Sequence, residues 1–365
     1  MNDASSSHGA PAILSRQVVL VTGGAGFIGS NLADRLATEG HDVLVFDALA
    51  RPGVEANLRW LQARHPQRVT ARIADIRDEA AVAEAARDAK VVFHLAGQVA
   101  VTTSLAEPRE DFDINLRGSF NLLDALRRQG RPVPLVFAST NKVYGSLSDV
   151  ALERAEGVYR PVDPVLRSYG ISEARPLDFH TPYGCSKGAA DQYVLDFARS
   201  FGIPTAVLRM SCIYGQRQMG TEDQGWVAHF LIRALRGEPI TIFGDGCQVR
   251  DVLQVNDAVA AYLSAWQRIG TVRGRAFNLG GGPQNAVSLR QVLAAIEALV
   301  GHRVDIRYDD WRAGDQRYYV SDTRLAQREL GLAAPTPWRS GLAGLARWLT
   351  EAHAPQRAGV AEAAR

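Results

Sequence analysis

Only three of the 365 residues are cysteine, Cys185, Cys212 and Cys247, and none falls in a CxxC pair. Neither a disulfide framework nor a thiolate zinc site is therefore indicated. The eight histidines form no HExxH pattern, so no metal site is expected. Charge of one sign is also scarce: the formal net charge is +2, without a dense Lys/Arg block. This argues against nucleic acid or an anionic membrane as partner. No apolar run approaches the roughly 20 residues that span a bilayer. Residues 1–15 contain Ser5, Ser6, Ser7, His8, Gly9 and Pro11 and lack a charged leader followed by an apolar stretch, which predicts no secretory signal. They are expected to form a loose tail, as is the Ala- and Arg-rich stretch 354–365. A cytoplasmic protein is the expectation.

What the chain does contain is core material, with 46% hydrophobic and 22% charged residues. Short β-branched runs alternate with helical patterns. Gln17 to Thr22, Asp42 to Asp47, Val69 to Asp75, Lys90 to Ala96 and Pro134 to Ser139 are each followed by a helical stretch, and Pro204 to Arg209 continues the series. Such alternation predicts an α/β fold with a doubly wound parallel sheet.

The first strand runs into VVLVTGGAGFIGS, Val18 to Ser30. Gly23, Gly26 and Gly29 let the backbone approach a pyrophosphate, and the helix opening at Phe27 and Ile28 offers its N-terminal amides. Asp47 ends the second strand, where a carboxylate can accept from ribose hydroxyls and repel a 2′-phosphate, so NAD is favoured over NADP. Asp75 and Ile76 are expected at the adenine edge. His94 is followed by Leu95, Ala96, Gly97 and Gln98, expected beside the cofactor at the end of the fourth strand.

Tyr183-Gly184-Cys185-Ser186-Lys187 places a phenol and an ammonium one helical turn apart. Removing a hydride from a secondary alcohol requires a base for its hydroxyl proton, and a phenol of pKa near ~10 is a poor one at neutral pH. Lys187 is expected to favour the phenolate. Thr140 is expected to hydrogen-bond the substrate oxygen.

In order along the chain, these residues resemble the extended short-chain dehydrogenase/reductases, the NAD-dependent epimerases and dehydratases of nucleotide sugars. The resemblance runs from Gln17 to the helix near Trp348. The glycine turn has the TGxxGxxG spacing at Thr22 to Gly29, and Thr140 stands four residues before the Tyr of Val143-Tyr144-Gly145. STNKVYG at Ser139 to Gly145, HLAGQVAVTTS at His94 to Ser104, YGCSKGAADQY at Tyr183 to Tyr193 and GTEDQGW at Gly220 to Trp226 resemble the subfamily that inverts carbon 2 of a CDP-linked hexose. The resemblance implies a Rossmann domain with a smaller α/β substrate-binding domain, tightly held NAD, a nucleotide-diphosphate sugar as substrate and a transient 2-keto sugar. A carbon-4 epimerase or a decarboxylase would use the same triad, and a silent dinucleotide-binding protein is a third alternative.

The 4,6-dehydratases of this superfamily carry an Asp-Glu pair directly after the Thr. Here Asn141 and Lys142 follow it, so dehydration is not expected. The resemblance implies substrate contacts from Asn141 and from Arg250 and Arg317, whose planar forks suit a diphosphate. Arg217, Gln218 and Gln224 are expected to line the sugar or base pocket. Many relatives have Asn where Cys212 stands, and that contact is not carried over. The gap from Tyr144 to Tyr183 suggests an inserted loop over the site. The expected cofactor domain covers 16–209 with a return at about 246–270, and the substrate domain 210–245 and 271–353. The resemblance implies a homodimer paired through two long helices, near Pro108 to Gln129 and Pro182 to Phe201, whose apolar faces could equally be covered by the sheet.

Overall fold

The computed structural model of the chain describes residues 18–353. The expected tails at 1–15 and 354–365 lie outside the described residues. The amino-terminal half alternates β1 (Val18–Thr22), α1 (Phe27–Thr38), β2 (Val43–Asp47), α2 (Val54–Arg64), β3 (Val69–Ile73), α3 (Glu79–Ala86) and β4 (Ala89–His94). Short α4 (Val101–Ala106) and α5 (Pro108–Phe112) lead through a π-helical turn, Asp113–Arg117, into α6 (Gly118–Arg128). Next come β5 (Leu135–Thr140), a 3₁₀ turn at Asn141–Tyr144, the hairpin β6 (Leu152–Ala155) and β7 (Val158–Pro161), α7 (Pro164–Tyr169) and α8 (Thr181–Phe201).

Beyond them lie β8 (Thr205–Met210), β9 (Cys212–Tyr214), α9 (Trp226–Leu235), β10 (Ile240–Phe243), β11 (Val249–Gln254) and α10 (Val255–Gln267). The last elements are α11 (Ile269–Val272), β12 (Arg275–Leu279), β13 (Ala286–Ser288), α12 (Leu289–Val300), β14 (Ile306–Asp309), β15 (Tyr318–Tyr319), α13 (Arg324–Leu330) and α14 (Trp338–His353).

Seven parallel strands form the large sheet in the order β12-β8-β5-β4-β1-β2-β3. Its strands read as continuous apolar runs because both faces are covered. Side chains alternate between the two covers: Val19, Val21, Val91 and Phe93 pack with α1 and α10 residues such as Leu32 and Val259, while Leu20, Val92, Leu135 and Phe137 meet Leu122, Leu126 and Val194 of α6 and α8. Each fully buried side chain of this kind contributes about 1.5–3 kcal/mol. The strand order reverses between β1 and β4, where a doubly wound sheet opens a crevice at its carboxyl edge. β1, β2, β4 and β5 reach this edge at Thr22, Asp47, His94 and Thr140.

The second unit has β13, β11, β15 and β9 in one small sheet and β10 with β14 in another, packed with α9, α12 and α14 around Phe230, Leu231, Leu293, Ile296 and Leu345. The pairing shifts the expected return segment. β11 pairs only within the second unit, and the return to the large sheet is made by α10 and β12, because β12 adds its backbone to the edge of β8.

Two further expectations are modified. The long helix at Pro108 to Gln129 is interrupted by the π-helical turn. The stretch from Tyr144 to Tyr183 is ordered structure rather than a bare loop: Val158 packs with Val249, Tyr318 and Val320, and Ile171 bridges to Ser321. Among the described residues no helix is long and apolar enough to cross a membrane, and no three His, Cys, Asp or Glu side chains group as metal ligands.

Candidate active site

The glycine turn joins β1 to α1 with Gly26 at the N-cap and no side chain capping the helix, which leaves its first amides available to an anion. Backbones approach closely here. A Cβ on Gly29 would lie 2.1 Å from the Gly23 carbonyl oxygen, and one on Gly23, whose φ is +69°, would lie 2.7 Å from Ala96 N. Phe27 and Ile28 turn into the core beside this loop. Asp47 sits next to it, accepting from Ala25 N at 3.0 Å and Leu49 N at 2.9 Å. Burial raises its pKa against these bonds, and two carboxylate oxygens still have acceptor capacity for a diol. An uncapped helix end, a cradle that only glycine fits and a neighbouring carboxylate match a dinucleotide.

The walls of the crevice are tied together. Thr22 Oγ1 hydrogen-bonds His94 Nδ1 at 2.7 Å, and His94 Nε2 meets Ser119 Oγ at 2.9 Å. Burial and Lys187 push the His94 pKa down to about 3, so this imidazole is a neutral strut. Leu95 N donates to the Thr22 carbonyl, Ala96 N to Thr22 Oγ1, and Gly97 faces Asn115 and Lys187. Gln98 N donates to Asn115 Oδ1 at 2.9 Å, and Gln98 Nε2 to Asp111 at 3.1 Å. Asp75 and Ile76 fall past the end of β3 rather than in it. Arg77 grips Asp75 with two bonds, of 2.9 and 2.6 Å, and Ile76 is buried against Gly118, so its side chain serves packing.

Thr140 ends β5, and Tyr183 and Lys187 project from the first turns of α8. The Thr140 hydroxyl donates to Asn141 Oδ1 at 3.4 Å and accepts from Lys142 N at 3.2 Å, and its nearness favours the ionised form of Tyr183. Lys187, 5% exposed, donates from Nζ to the Ala138 carbonyl at 2.6 Å and lies over the Phe137 ring. The expected acidification of the phenol by Lys187 is not met in the protein alone. Burial pushes the Tyr183 pKa up to about 12, opposed by Thr140 and reinforced by Asp111. Burial also pulls Lys187 down to about 8, with Asp191 and Asp111 opposing it. A low dielectric disfavours the charged form of both groups.

Sequence reasoning missed the polar group behind this triad. The Asn115 amide, aimed by the π-helical turn, donates to Asp111 and to Ser186 Oγ, each at 3.1 Å, and Ser186 donates to Asp111. Ser186 lies between Tyr183 and Lys187, so the group fixes that turn of α8. The signal available was a buried Asp and Asn at positions that helical periodicity would place on a core face.

The residues expected to bind substrate separate into groups. Asn141 donates to Gln316 Oε1 at 3.0 Å, and Gln316 in turn donates to the Gly145 carbonyl, fixing the turn after Thr140. Arg250, 8% exposed, rises from β11 beside this turn. Arg317 is exposed and lies over Tyr159 and Trp311. Gln218 is buried with Oε1 unpartnered, and Gln224 closes a small bridge with Thr221. Arg217, expected at the sugar or base pocket, stacks its guanidinium 3.0 Å from the Trp60 ring centroid of α2. The aromatic face attracts the guanidinium, while burial opposes its charge and lowers its pKa to about 10.

Residues 19–280 match the profile described as the NAD dependent epimerase/dehydratase family. The chain is 40% identical over 348 residues to CDP-paratose 2-epimerase of Salmonella typhi, an overlap of 90% of this chain and 98% of that one. Among solved structures, it is similar to the UDP-glucose 4-epimerase of Thermotoga maritima with UDP-glucose, with TM-score 0.78, 31% identity and 92% and 99% of the two chains covered. The UDP-glucose 4-epimerase of Thermus thermophilus in complex with NAD gives TM-score 0.77 at 31% identity, with the same coverage.

Proposed function

The chain belongs to the NAD dependent epimerase/dehydratase family, and from that premise we propose that it inverts carbon 2 of a nucleotide-linked sugar, with a CDP-paratose- or CDP-tyvelose-like substrate. It is an enzyme, an NAD-dependent isomerase. The observation that carries the carbon-2 reading is the 40% identity to CDP-paratose 2-epimerase across 98% of that relative. The turn after Thr140 supports it, since Asn141 and Lys142 offer no carboxyl acid and base for eliminating water.

NAD, when bound, supplies a reversible hydride acceptor and, in its oxidised form, a positive charge that supports a buried phenolate. Tyr183 takes the proton from the carbon-2 hydroxyl, and Thr140 hydrogen-bonds the same oxygen as it becomes a carbonyl. Lys187, anchored on the Ala138 carbonyl, carries positive charge one helical turn from the phenol and would hold the cofactor ribose when NAD is bound. The 2-keto sugar then presents its other face to take the hydride back at carbon 2, and Tyr183 returns the proton to its oxygen. The buried Asp111-Asn115-Ser186 group keeps the phenol in place throughout.

Phe112, Phe120, Tyr193 and Phe201 leave large apolar surface exposed on the α5–α6 and α8 faces, which supports a homodimer formed through these helices. Sedimentation of the pure protein tests it. Free thiols and a nucleotide-sugar substrate support a cytoplasmic location.

Incubation with CDP-, UDP- and GDP-hexoses in deuterium oxide, read by NMR, tests the reaction. Inversion at carbon 2 without solvent deuterium on that carbon is the expected result. Inversion confined to carbon 4 rejects the assignment in favour of the second reading, a 4-epimerase.

A further inference from the structure

Lys142 stands two residues after Thr140, on the turn that Gln316 and Asn141 hold in place. Its ammonium donates to the Gly314 carbonyl at 2.9 Å. The sheets bring Arg250 to the same corner. Thr140 pairs with Met210 at the end of β8, the chain passes through Ser211 into β9, and Cys212 of β9 pairs with Val252, two residues beyond Arg250 on β11. Among the described residues the Arg250 side chain donates only to its neighbour's carbonyl, from Nη1 to Val249 O at 2.8 Å.

Arg250 comes close enough to disfavour the charge on Lys142, and among the described residues neither forms an ion pair. Asp251, Cys212 and Asp315, which neighbour these two side chains, are otherwise disposed. Asp251 turns away to Ser211 Oγ and Gly282 N. Cys212 accepts from Trp226 Nε1 at 3.4 Å, and burial raises its thiol pKa, so it stays neutral. Asp315 favours the Lys142 ammonium without coming within bonding reach. Burial and Arg250 together bring the Lys142 pKa down to about 8, the sign of an ammonium short of negative charge. Placing like charges together in a low dielectric is costly unless an anion joins them.

We propose that Lys142 and Arg250 form a two-cation clamp on the phosphate bonded to carbon 1 of the sugar, and that Lys142 is thereby the residue that sets carbon 2 beside Tyr183. This rests on the nucleotide-sugar reading and adds a residue to it. Carbon 2 adjoins carbon 1, so in carbon-2 chemistry the phosphate must lie close to Thr140 and Tyr183. A cation on the Thr140 turn meets that need, whereas for carbon 4 the sugar ring would separate the phosphate from this turn.

The test is calorimetric binding of CDP, UDP and CMP to NAD-loaded wild type and to Lys142→Gln, Lys142→Arg and Arg250→Gln, with melting temperature and NAD content as controls. Loss of one charge-assisted phosphate contact corresponds to roughly ten- to hundredfold weaker binding. That loss is expected for the diphosphate in Lys142→Gln and Arg250→Gln, with CMP, which lacks the second phosphate, little changed in Lys142→Gln. Lys142→Arg is expected to keep diphosphate affinity while lowering kcat more than it raises KM, because the longer fork shifts the sugar. Unchanged diphosphate binding by a folded Lys142→Gln overturns the clamp, even if wild type inverts carbon 2. A weakened diphosphate in an enzyme that inverts only carbon 4 leaves the clamp standing but overturns both the placement of carbon 2 by Lys142 and the carbon-2 assignment. Failure of wild type to bind either diphosphate overturns the clamp together with the nucleotide-sugar reading.

Discussion

Arg209 holds Asp191 through two contacts of 2.9 Å, Nε to one carboxylate oxygen and Nη2 to the other, with the residues 4% and 0% exposed. The same carboxylate accepts from Ser139 Oγ at 2.7 Å, and Arg209 Nη1 donates to the Tyr144 hydroxyl at 3.2 Å. One buried ion pair therefore fastens β8, α8 and the end of β5 just behind the triad.

Breaking that pair from one side leaves the other charge buried alone. Arg209→Ala is expected to destabilise the fold by about 3–5 kcal/mol, read as a shifted midpoint in urea denaturation. The double replacement Arg209→Met, Asp191→Leu is expected to recover part of this loss. A single variant as stable as wild type would show that the pair is dispensable.

Gly29→Ala puts a methyl group where the Gly23 carbonyl oxygen lies, 2.1 Å away. The loop must open, so the variant is expected to purify with little NAD while keeping the secondary structure of wild type. Absorbance and chromatography of the released nucleotide measure this.

Tyr183→Phe removes the proton acceptor without altering the packing of the ring. Turnover is expected to fall by about 10²–10⁴-fold, with NAD content and melting temperature close to wild type. Near-wild-type rates would assign the base elsewhere.

Lys187 gives a stability prediction with a defined sign. Its folded pKa is lowered from 10.5 to about 8, so between those values the unfolded chain binds a proton that the folded one has released. Stability relative to Lys187→Met is then expected to increase with pH across that window, by up to ~1.4 kcal/mol per pH unit. Below about 8 the ammonium is charged in both states and the fold carries the full desolvation cost. Urea midpoints of the two proteins at several pH values measure the difference, and a flat difference would place Lys187 in a more polar setting.

Much of the fold was legible because β-branched runs and glycine spacing are local signals. The strands were expected within a few residues of their observed ends, and the cofactor crevice followed from their order. The site was legible where one turn of chain carries the chemistry, as at Thr140 or Tyr183 with Lys187. It was less so where partners come from distant segments. Nothing near Arg217 announces that Trp60 will capture it. Asp75 was expected at the adenine edge, and Arg77, two residues on, grips it. The effect of burial on Tyr183 was also hidden, since the spacing to Lys187 reports a neighbouring charge but not the dielectric around it.

The Tyr144 hydroxyl donates to Asn278 of β12, and Gln316 braces Asn141 and Gly145, so the turn bearing Thr140 is fixed by residues far toward the carboxyl terminus. During synthesis, a growing polypeptide that has emerged only as far as β11 already holds the glycine loop, the phenol and the ammonium, yet lacks both braces. The turn that carries Thr140 thus acquires its full bracing only once Asn278 and Gln316 have been synthesised.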